Sequence, residues 1–307
     1  MFSDGVYTVL ITPFDENGNI DYDSYRNLIN YQMSTGPNVK GFVLLGTTSE
    51  SPTLNEYEKK EIVKFTHDVV DNRKNIIVGV GGNNTIATID FAKYCFDYCT
   101  GFMVTVPNYN KPTQDGIYQH FYAICQNSEL KEKPVIMYNI PSRCGVNMLP
   151  ETVARIAHDC PNVRAIKEAS GSIDQAMRIK ELCDIKIFSG DDALILPIMS
   201  IGGSGVISVA SNIIPKYICN IVDNCLDDNY LDARKMFYKA YKFIKMLFIE
   251  TNPSPIKYIL YRISLINNDI MRLPLCRMQD DNKNNLFSIF LECFNNEDKE
   301  IFKAMTH

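Results

Sequence analysis

At 307 residues, with 46% hydrophobic and 22% charged side chains, the chain is long enough to bury one large core or two smaller ones. A formal net charge of −5 leaves no basic face for nucleic acid, and no apolar run approaches the roughly 20 residues of a membrane-spanning helix. The opening Met1-Phe2-Ser3-Asp4-Gly5 lacks the charged and apolar regions of a secretory signal, which predicts a cytoplasmic protein.

From the N-terminus, short apolar runs rich in β-branched residues recur at 6–11, 39–45, 76–80, 102–106, 135–138, 163–166, 185–188 and 206–209. Runs that are apolar throughout fit strands covered on both faces. Stretches with helical periodicity separate most of them, at 55–70, 85–98, 114–126 and 149–158. Strands alternating with helices predict parallel pairing through right-handed crossovers. Eight such units over roughly 210 residues match an α/β chain closed into a (β/α)8 TIM barrel. An open doubly wound sheet would favour a glycine-rich turn after the first strand, where Thr12-Pro13-Phe14-Asp15 stands instead. After about Pro215 only helical patterns follow, at 216–225, 230–248 and 255–265, and then a helical tail. The expected organisation is a barrel catalytic domain over 1–225 and a C-terminal helical extension over 226–307.

Ten cysteines are scattered along the chain, and the four histidines do not cluster. The closest pair, Cys95 and Cys99, is spaced to share one buried helical face. This pattern predicts buried, reduced thiols and offers no metal or disulfide framework.

Barrels of this kind collect chemistry at the C-terminal ends of their strands. In chain order those ends carry Thr12, then Gly46-Thr47-Thr48-Ser49-Glu50, then Asn83 and Asn84, then Pro107-Asn108-Tyr109-Asn110. Tyr138-Asn139, Lys167, Ser189-Gly190-Asp191-Asp192 and Ser208 follow from the last four strands. Polar groups converging from eight ends suit a small polar substrate.

Lys167 stands out. Strand alternation places Val163, Ala165 and Lys167 on one side, and Arg164, Ile166 and Glu168 on the other. If the first set faces the barrel interior, desolvation favours the neutral amine, the form that attacks a ketone. The competing reading is a lysine that snorkels from the strand end to solvent. Tyr138 ends the preceding strand and lies beside Lys167 across one strand spacing, about 5 Å. A phenol there shuttles protons during carbinolamine formation and dehydration; the alternative is a core aromatic with a satisfied hydroxyl. Thr47 and Tyr109 would extend a hydroxyl relay toward solvent. Gly46-Thr47-Thr48 offers successive N–H groups and two hydroxyls, a suitable grip for a carboxylate.

Together these segments resemble the dihydrodipicolinate synthase and N-acetylneuraminate lyase family of Schiff-base aldolases. The resemblance runs from Thr12-Pro13-Phe14 to Asn252-Pro253-Ser254-Pro255-Ile256-Lys257. It rests on Gly46-Thr47-Thr48-Ser49-Glu50, Tyr138-Asn139-Ile140-Pro141, Ile166-Lys167-Glu168, Ser189-Gly190-Asp191-Asp192 and Gly205-Val206-Ile207-Ser208-Val209. Within the family, Ser142-Arg143 is similar to the branch that condenses pyruvate with aspartate 4-semialdehyde in diaminopimelate and lysine biosynthesis. The resemblance implies that Lys167 forms the Schiff base and that Tyr138, Thr47 and Tyr109 relay protons. It implies that Thr48, with the backbone of Thr47 and Thr48, holds the carboxylate of pyruvate. Ile207 adds a backbone carbonyl, Gly190 joins the substrate-binding set, and Arg143 grips the carboxylate of the second substrate. Tyr109 is expected to reach a neighbouring subunit's pocket, making a dimer the minimal active unit and a homotetramer the common form. No metal, nucleotide or other cofactor is implied.

Three departures from the family pattern carry expectations. Ser49 replaces a usual glycine and would strain the turn if its φ were positive. Cys144 replaces a usual threonine or serine after Arg143. In lysine-inhibited members the regulatory pocket resembles Ser51, Pro52, Glu56, Lys59, Asn83, Ala87 and Asn108; here Ala87 and Asn108 replace a glutamate and a tyrosine, which predicts weak or absent inhibition. Two rival functions stay open at this stage. One is a sister lyase acting on N-acetylneuraminate or 2-keto-3-deoxygluconate, against which Arg143 argues. The other is a silent barrel that binds a small carboxylate; a metal-dependent aldolase finds no histidine cluster to support it.

Overall fold

A computed structural model of the chain describes residues 2–294. Each apolar run forms a strand: β1 (Gly5–Val9), β2 (Gly41–Leu44), β3 (Asn75–Gly79) and β4 (Gly101–Thr105), then β5 (Val135–Asn139), β6 (Val163–Glu168), β7 (Lys186–Ser189) and β8 (Gly205–Ser208). Every strand pairs parallel with its neighbour in sequence, and β8 returns to β1 to close the barrel. Around it run α1 (Tyr22–Thr35), α2 (Glu56–Val70), α3 (Thr85–Cys95), α4 (Gln114–Cys125) and the one-turn α5 (Pro141–Cys144). They are followed by α6 (Pro150–Asp159), α7 (Ile173–Leu182), α8 (Ile195–Ser200) and α9 (Pro215–Leu226). The fold is a (β/α)8 TIM barrel. Beyond it lie α10 (Tyr230–Met246), α11 (Ser254–Arg262) and α12 (Asp280–Phe294). The last part of the expected helical tail, 295–307, lies outside the described residues.

Four strands begin on a glycine, one or more residues before or beside the apolar run that announces them. The reason is close approach where the barrel closes. At Gly205, with φ +141°, a Cβ would stand 1.9 Å from the carbonyl oxygen of Gly5 on the adjoining strand. The inner face of α1 carries Gln32, fully buried, whose amide donates to the carbonyls of Ser211 and Asn212 and accepts from Thr8. These long-range hydrogen bonds add to the apolar contacts that Tyr25, Leu28 and Ile29 make on the buried side of the helix.

Strand alternation divides the buried apolar residues into two layers. Tyr7, Val9, Val43, Ile77, Met103, Ile136, Tyr138, Ala165, Phe188 and Ile207 fill the barrel interior together with Phe2. Their alternates, among them Val6, Phe42, Val78, Phe102, Val104 and Ile166, pack outward against the helices. One expectation fails here. Val163 does not share the interior side with Ala165 and Lys167; it packs in the outer layer. The register between β5 and β6 slips by one residue, pairing Val135 with Val163 but Ile136 with Ala165. This bulge resets the alternation at the exposed Arg164, so that only Ala165 and Lys167 point inward.

Aromatic contacts join the C-terminal helices to one another, as in Phe243 against Phe290 at 5.4 Å, and to the barrel helix α9, as in Phe294 against Tyr217 at 5.4 Å between centroids. The segment leading into α11 folds back over the turn that follows β2. There the fully buried Lys257 ammonium pairs with the fully buried Glu50 carboxylate and also donates to the Ile270 carbonyl at 2.9 Å. The second Glu50 oxygen accepts the Arg272 backbone N–H at 3.1 Å. The described cysteines are all unbridged thiols; eight are buried, while Cys183 is half-buried and Cys276 is exposed, the exception to the expected burial.

Candidate active site

The β5–β6 register sets Tyr138 directly beside Lys167, and Asn139 beside Glu168. Tyr138 and Lys167 point into the barrel; the Lys167 amine lies 4.3 Å from the centroid of the Tyr138 ring. Only 6% of Lys167 is exposed, which rules out the snorkelling alternative. Burial brings its pKa down to about 7, with the Asp192 carboxylate pulling it up and the Arg143 guanidinium pushing it further down. The free amine is therefore far more abundant at neutral pH than in an ordinary lysine, where it is on the order of one in a few thousand. Burial also pushes the Tyr138 phenol up to about 12, although a hydrogen bond with Thr47 and the charge of Arg143 both favour its ionised form. The phenol is thus neutral near pH 7, able to give one proton and accept another.

The two strand ends are tied together on the outer face. The Asn139 side-chain amide donates to Asn147 at 2.8 Å and to Glu168 at 3.2 Å, and Gln175 donates to the same Glu168 oxygen at 3.1 Å. Asn139 also accepts the Met148 backbone N–H at 3.0 Å, so both of its polar ends are used. This buried polar clamp holds the pair whose inward neighbours are Tyr138 and Lys167.

The turn after β2 supplies the opposite wall. Ser49 and Glu50 donate their backbone N–H groups back to Gly46 and Thr47. Among the described residues, no protein acceptor takes the backbone N–H of Thr47 or Thr48, which leaves both for an anion. The expected strain at Ser49 is absent, because the left-handed residues are Leu45 (φ 56°) and Glu50 (φ 53°). Ser49 instead stitches the turn to β1: its hydroxyl donates to the Leu10 carbonyl at 2.7 Å, and its own carbonyl accepts from Thr12 at 2.7 Å. A serine here adds a tether that glycine lacks.

Thr47, Arg143, Cys144, Ile140, Thr105 and Asn108 line a cavity of about 260 Å³ at the mouth of the barrel. Arg143 sits in the one-turn α5, exposed at its rim. Ile207 is in the interior layer, and the Gly190 backbone N–H donates to the Glu168 carbonyl at 2.8 Å, which places it next to the Lys167 strand end. A Cβ at Gly190 would press within 2.6 Å of Ala169. Of the expected site residues, Thr47 and Arg143 line this cavity, whereas Lys167, Tyr138, Thr48, Ile207 and Gly190 do not, and Tyr109, 90% exposed, stands out from this chain. Asp192, which closes the Ser189-Gly190-Asp191-Asp192 motif, has no expected role from the sequence. It is buried, one oxygen accepts the backbone N–H groups of Val209 and Ala210 at 2.9 and 3.1 Å, and the other makes no hydrogen bond among the described residues. Its charge favours the protonated form of Lys167, a coupling visible only after the barrel closes.

The sequence model of the dihydrodipicolinate synthetase family matches residues 2–292. The chain belongs to this family. Among curated members, the 4-hydroxy-tetrahydrodipicolinate synthase of Endomicrobium trichonymphae is 43% identical over 285 residues, covering 92% of this chain and 95% of that protein. Among solved members, the dihydrodipicolinate synthase of Thermotoga maritima superposes with a TM-score of 0.91 at 38% identity, covering 95% of this chain and 99% of the other. The 4-hydroxy-tetrahydrodipicolinate synthase of Methylacidiphilum fumariolicum gives 0.91 at 37%, with 95% and 96% covered. Full-length coverage at this identity extends the family resemblance from the five motifs to the whole barrel and most of the C-terminal helices.

Proposed function

We propose that Lys167 condenses pyruvate with aspartate 4-semialdehyde to give 4-hydroxy-tetrahydrodipicolinate, the activity for which the curated relatives are named. The observation that carries this reading is the desolvated Lys167 amine set 4.3 Å from the Tyr138 ring inside a closed barrel. The free amine attacks the ketone carbon of pyruvate to form a carbinolamine, which loses water to give a protonated imine. Tyr138 supplies the proton that leaves with the hydroxyl and takes up the proton released by nitrogen, with Thr47 and a partner's Tyr109 relaying to solvent. The protonated imine then accepts the electron pair of a methyl C–H bond as its proton passes to the Tyr138 relay, and the resulting enamine carbon attacks the aldehyde, whose oxygen takes up a proton from the same relay. The amino group of the bound semialdehyde next attacks the imine carbon; the bond to Lys167 breaks and the ring closes.

In this reading Thr48 and the two free N–H groups hold the carboxylate of pyruvate, while Ile207 and Gly190 shape the site around it. Arg143, at the rim, grips the carboxylate of the second substrate in a bidentate manner. The chemistry calls on no metal or other cofactor. A homotetramer built as a dimer of dimers, a cytoplasmic location and a division into a barrel over 1–225 and an extension over 226–307 belong to the same proposal. Among the described residues no helix is long and apolar enough to cross a membrane.

Borohydride reduction in the presence of pyruvate tests the central step: a pyruvate adduct on Lys167, lost in Lys167→Ala, is expected. A coupled assay should show turnover of aspartate 4-semialdehyde with pyruvate. Cleavage of N-acetylneuraminate or 2-keto-3-deoxygluconate in its place would overturn the substrate assignment.

A further inference from the structure

The side-chain amide of Asn252, between α10 and α11, donates to the Thr48 hydroxyl oxygen at 2.9 Å across 204 residues of sequence. Both groups are buried, Asn252 at 5% exposure and Thr48 at 3%. We infer that Asn252 is a positioning residue for the keto-acid subsite, setting the direction in which the Thr48 hydroxyl gives its proton. This rests on the reading of Thr48 as a carboxylate ligand.

A hydroxyl has one proton and two lone pairs, whereas an amide NH2 only donates. With Asn252 occupying a lone pair, and no protein acceptor for the Thr48 proton among the described residues, that proton is left for an anion. An acceptor behind Thr48 would have the opposite effect. It would take the proton, and Thr48 would meet the substrate carboxylate with lone pairs. A donor behind the hydroxyl is therefore what an anion in front of it requires. The role is separate from holding the turn itself. That is done by Ser49 on Leu10, Thr12 on Ser49, and Lys257 with the Arg272 backbone on Glu50. These tethers remain when Asn252 is changed.

The test is steady-state kinetics on the full chain with Asn252→Asp, which keeps the shape but turns the donor into an acceptor. The expected result is at least a tenfold rise in the KM for pyruvate. The KM for aspartate 4-semialdehyde and kcat at saturating pyruvate should stay near wild type. Asn252→Ala, which neither donates nor accepts, should raise the same KM about threefold. In a Thr48→Val background, where no hydroxyl remains to orient, Asn252→Asp should add less than a twofold effect. An unchanged pyruvate KM in Asn252→Asp overturns the inference. So does an equal rise in both backgrounds, which would assign the effect to the added charge. Should Asn252→Asp fail to fold, Asn252→Ala with and without Thr48→Val carries the same comparison. A wild-type chain that gives no borohydride-trapped pyruvate adduct defeats the proposed function and this inference together. A wild-type adduct with unaltered pyruvate KM in the Asn252 variants defeats the inference alone.

Discussion

At the scale of single residues, the working parts of the site differ from ordinary side chains mainly in their loss of water. Lys167 and Tyr138 move apart in proton affinity, the amine down to about 7 and the phenol up to about 12, and in both cases burial is the largest cause. Both are neutral over much of the physiological range, as carbinolamine chemistry needs. The sign gives a direct prediction. Because the Lys167 pKa is lowered, free amine accumulates as pH rises, so the rate of pyruvate trapping should climb about tenfold per unit below pH 7 and level off above it. Asp192→Asn removes the charge that pulls this pKa up and should move the midpoint to lower pH by at least ~0.5 unit. A pH–rate profile of borohydride trapping in the two proteins measures it. A midpoint near the ordinary lysine value would contradict the dry site.

At the scale of elements, two tethered pieces of chain hold the pocket: the β5–β6 ends and the turn after β2. The turn's deepest tether is an ion pair with both partners fully buried. Neutralising one member strands the other without its counter-charge, so Lys257→Ala should destabilise the chain by about 3–5 kcal/mol, measured by denaturant unfolding. The double change Glu50→Gln with Lys257→Met should recover a large part of that loss, because no charge is then left unpaired. Alternation along β6 illustrates how an element resists prediction from pattern alone. Simple alternation groups Val163 with Ala165 and Lys167, because nothing in Val163-Arg164-Ala165 announces a bulge. The slip belongs to the pairing with β5, a partner that the local sequence does not contain.

At the scale of the whole molecule, the exposed Tyr109 is the part of the proposed relay that one chain does not bury. If Tyr109 completes a partner's pocket, mixing Lys167→Ala with Tyr109→Phe protein should rebuild one intact pocket per mixed dimer. Activity should then recover to roughly a quarter of wild type after subunit exchange, where neither variant alone is active. No recovery would place the relay within one chain. A second whole-molecule prediction concerns regulation. A cavity of about 460 Å³ contains Ser51, Glu56, Lys59, Asn83 and Ala87, and the Lys59 ammonium adds a like charge where a lysine ligand would need carboxylates. Activity is expected to fall less than twofold in millimolar lysine, measured in the coupled assay.

The sequence by itself determined the repeating strand–helix order, the barrel closure and the strand ends that carry Thr47, Tyr138, Arg143 and Lys167. Those features live in local periodicity and short motifs, where each residue's signal lies within a few neighbours. Only the tertiary structure decided that Ser49 is unstrained and tethered to Leu10, that Val163 faces outward, and that Asp192 and Asn252 stand behind Lys167 and Thr48. These are contacts between residues distant in the chain. Hydrogen-bond direction, burial and charge proximity come into being only when the barrel closes and the C-terminal helices fold back over its mouth.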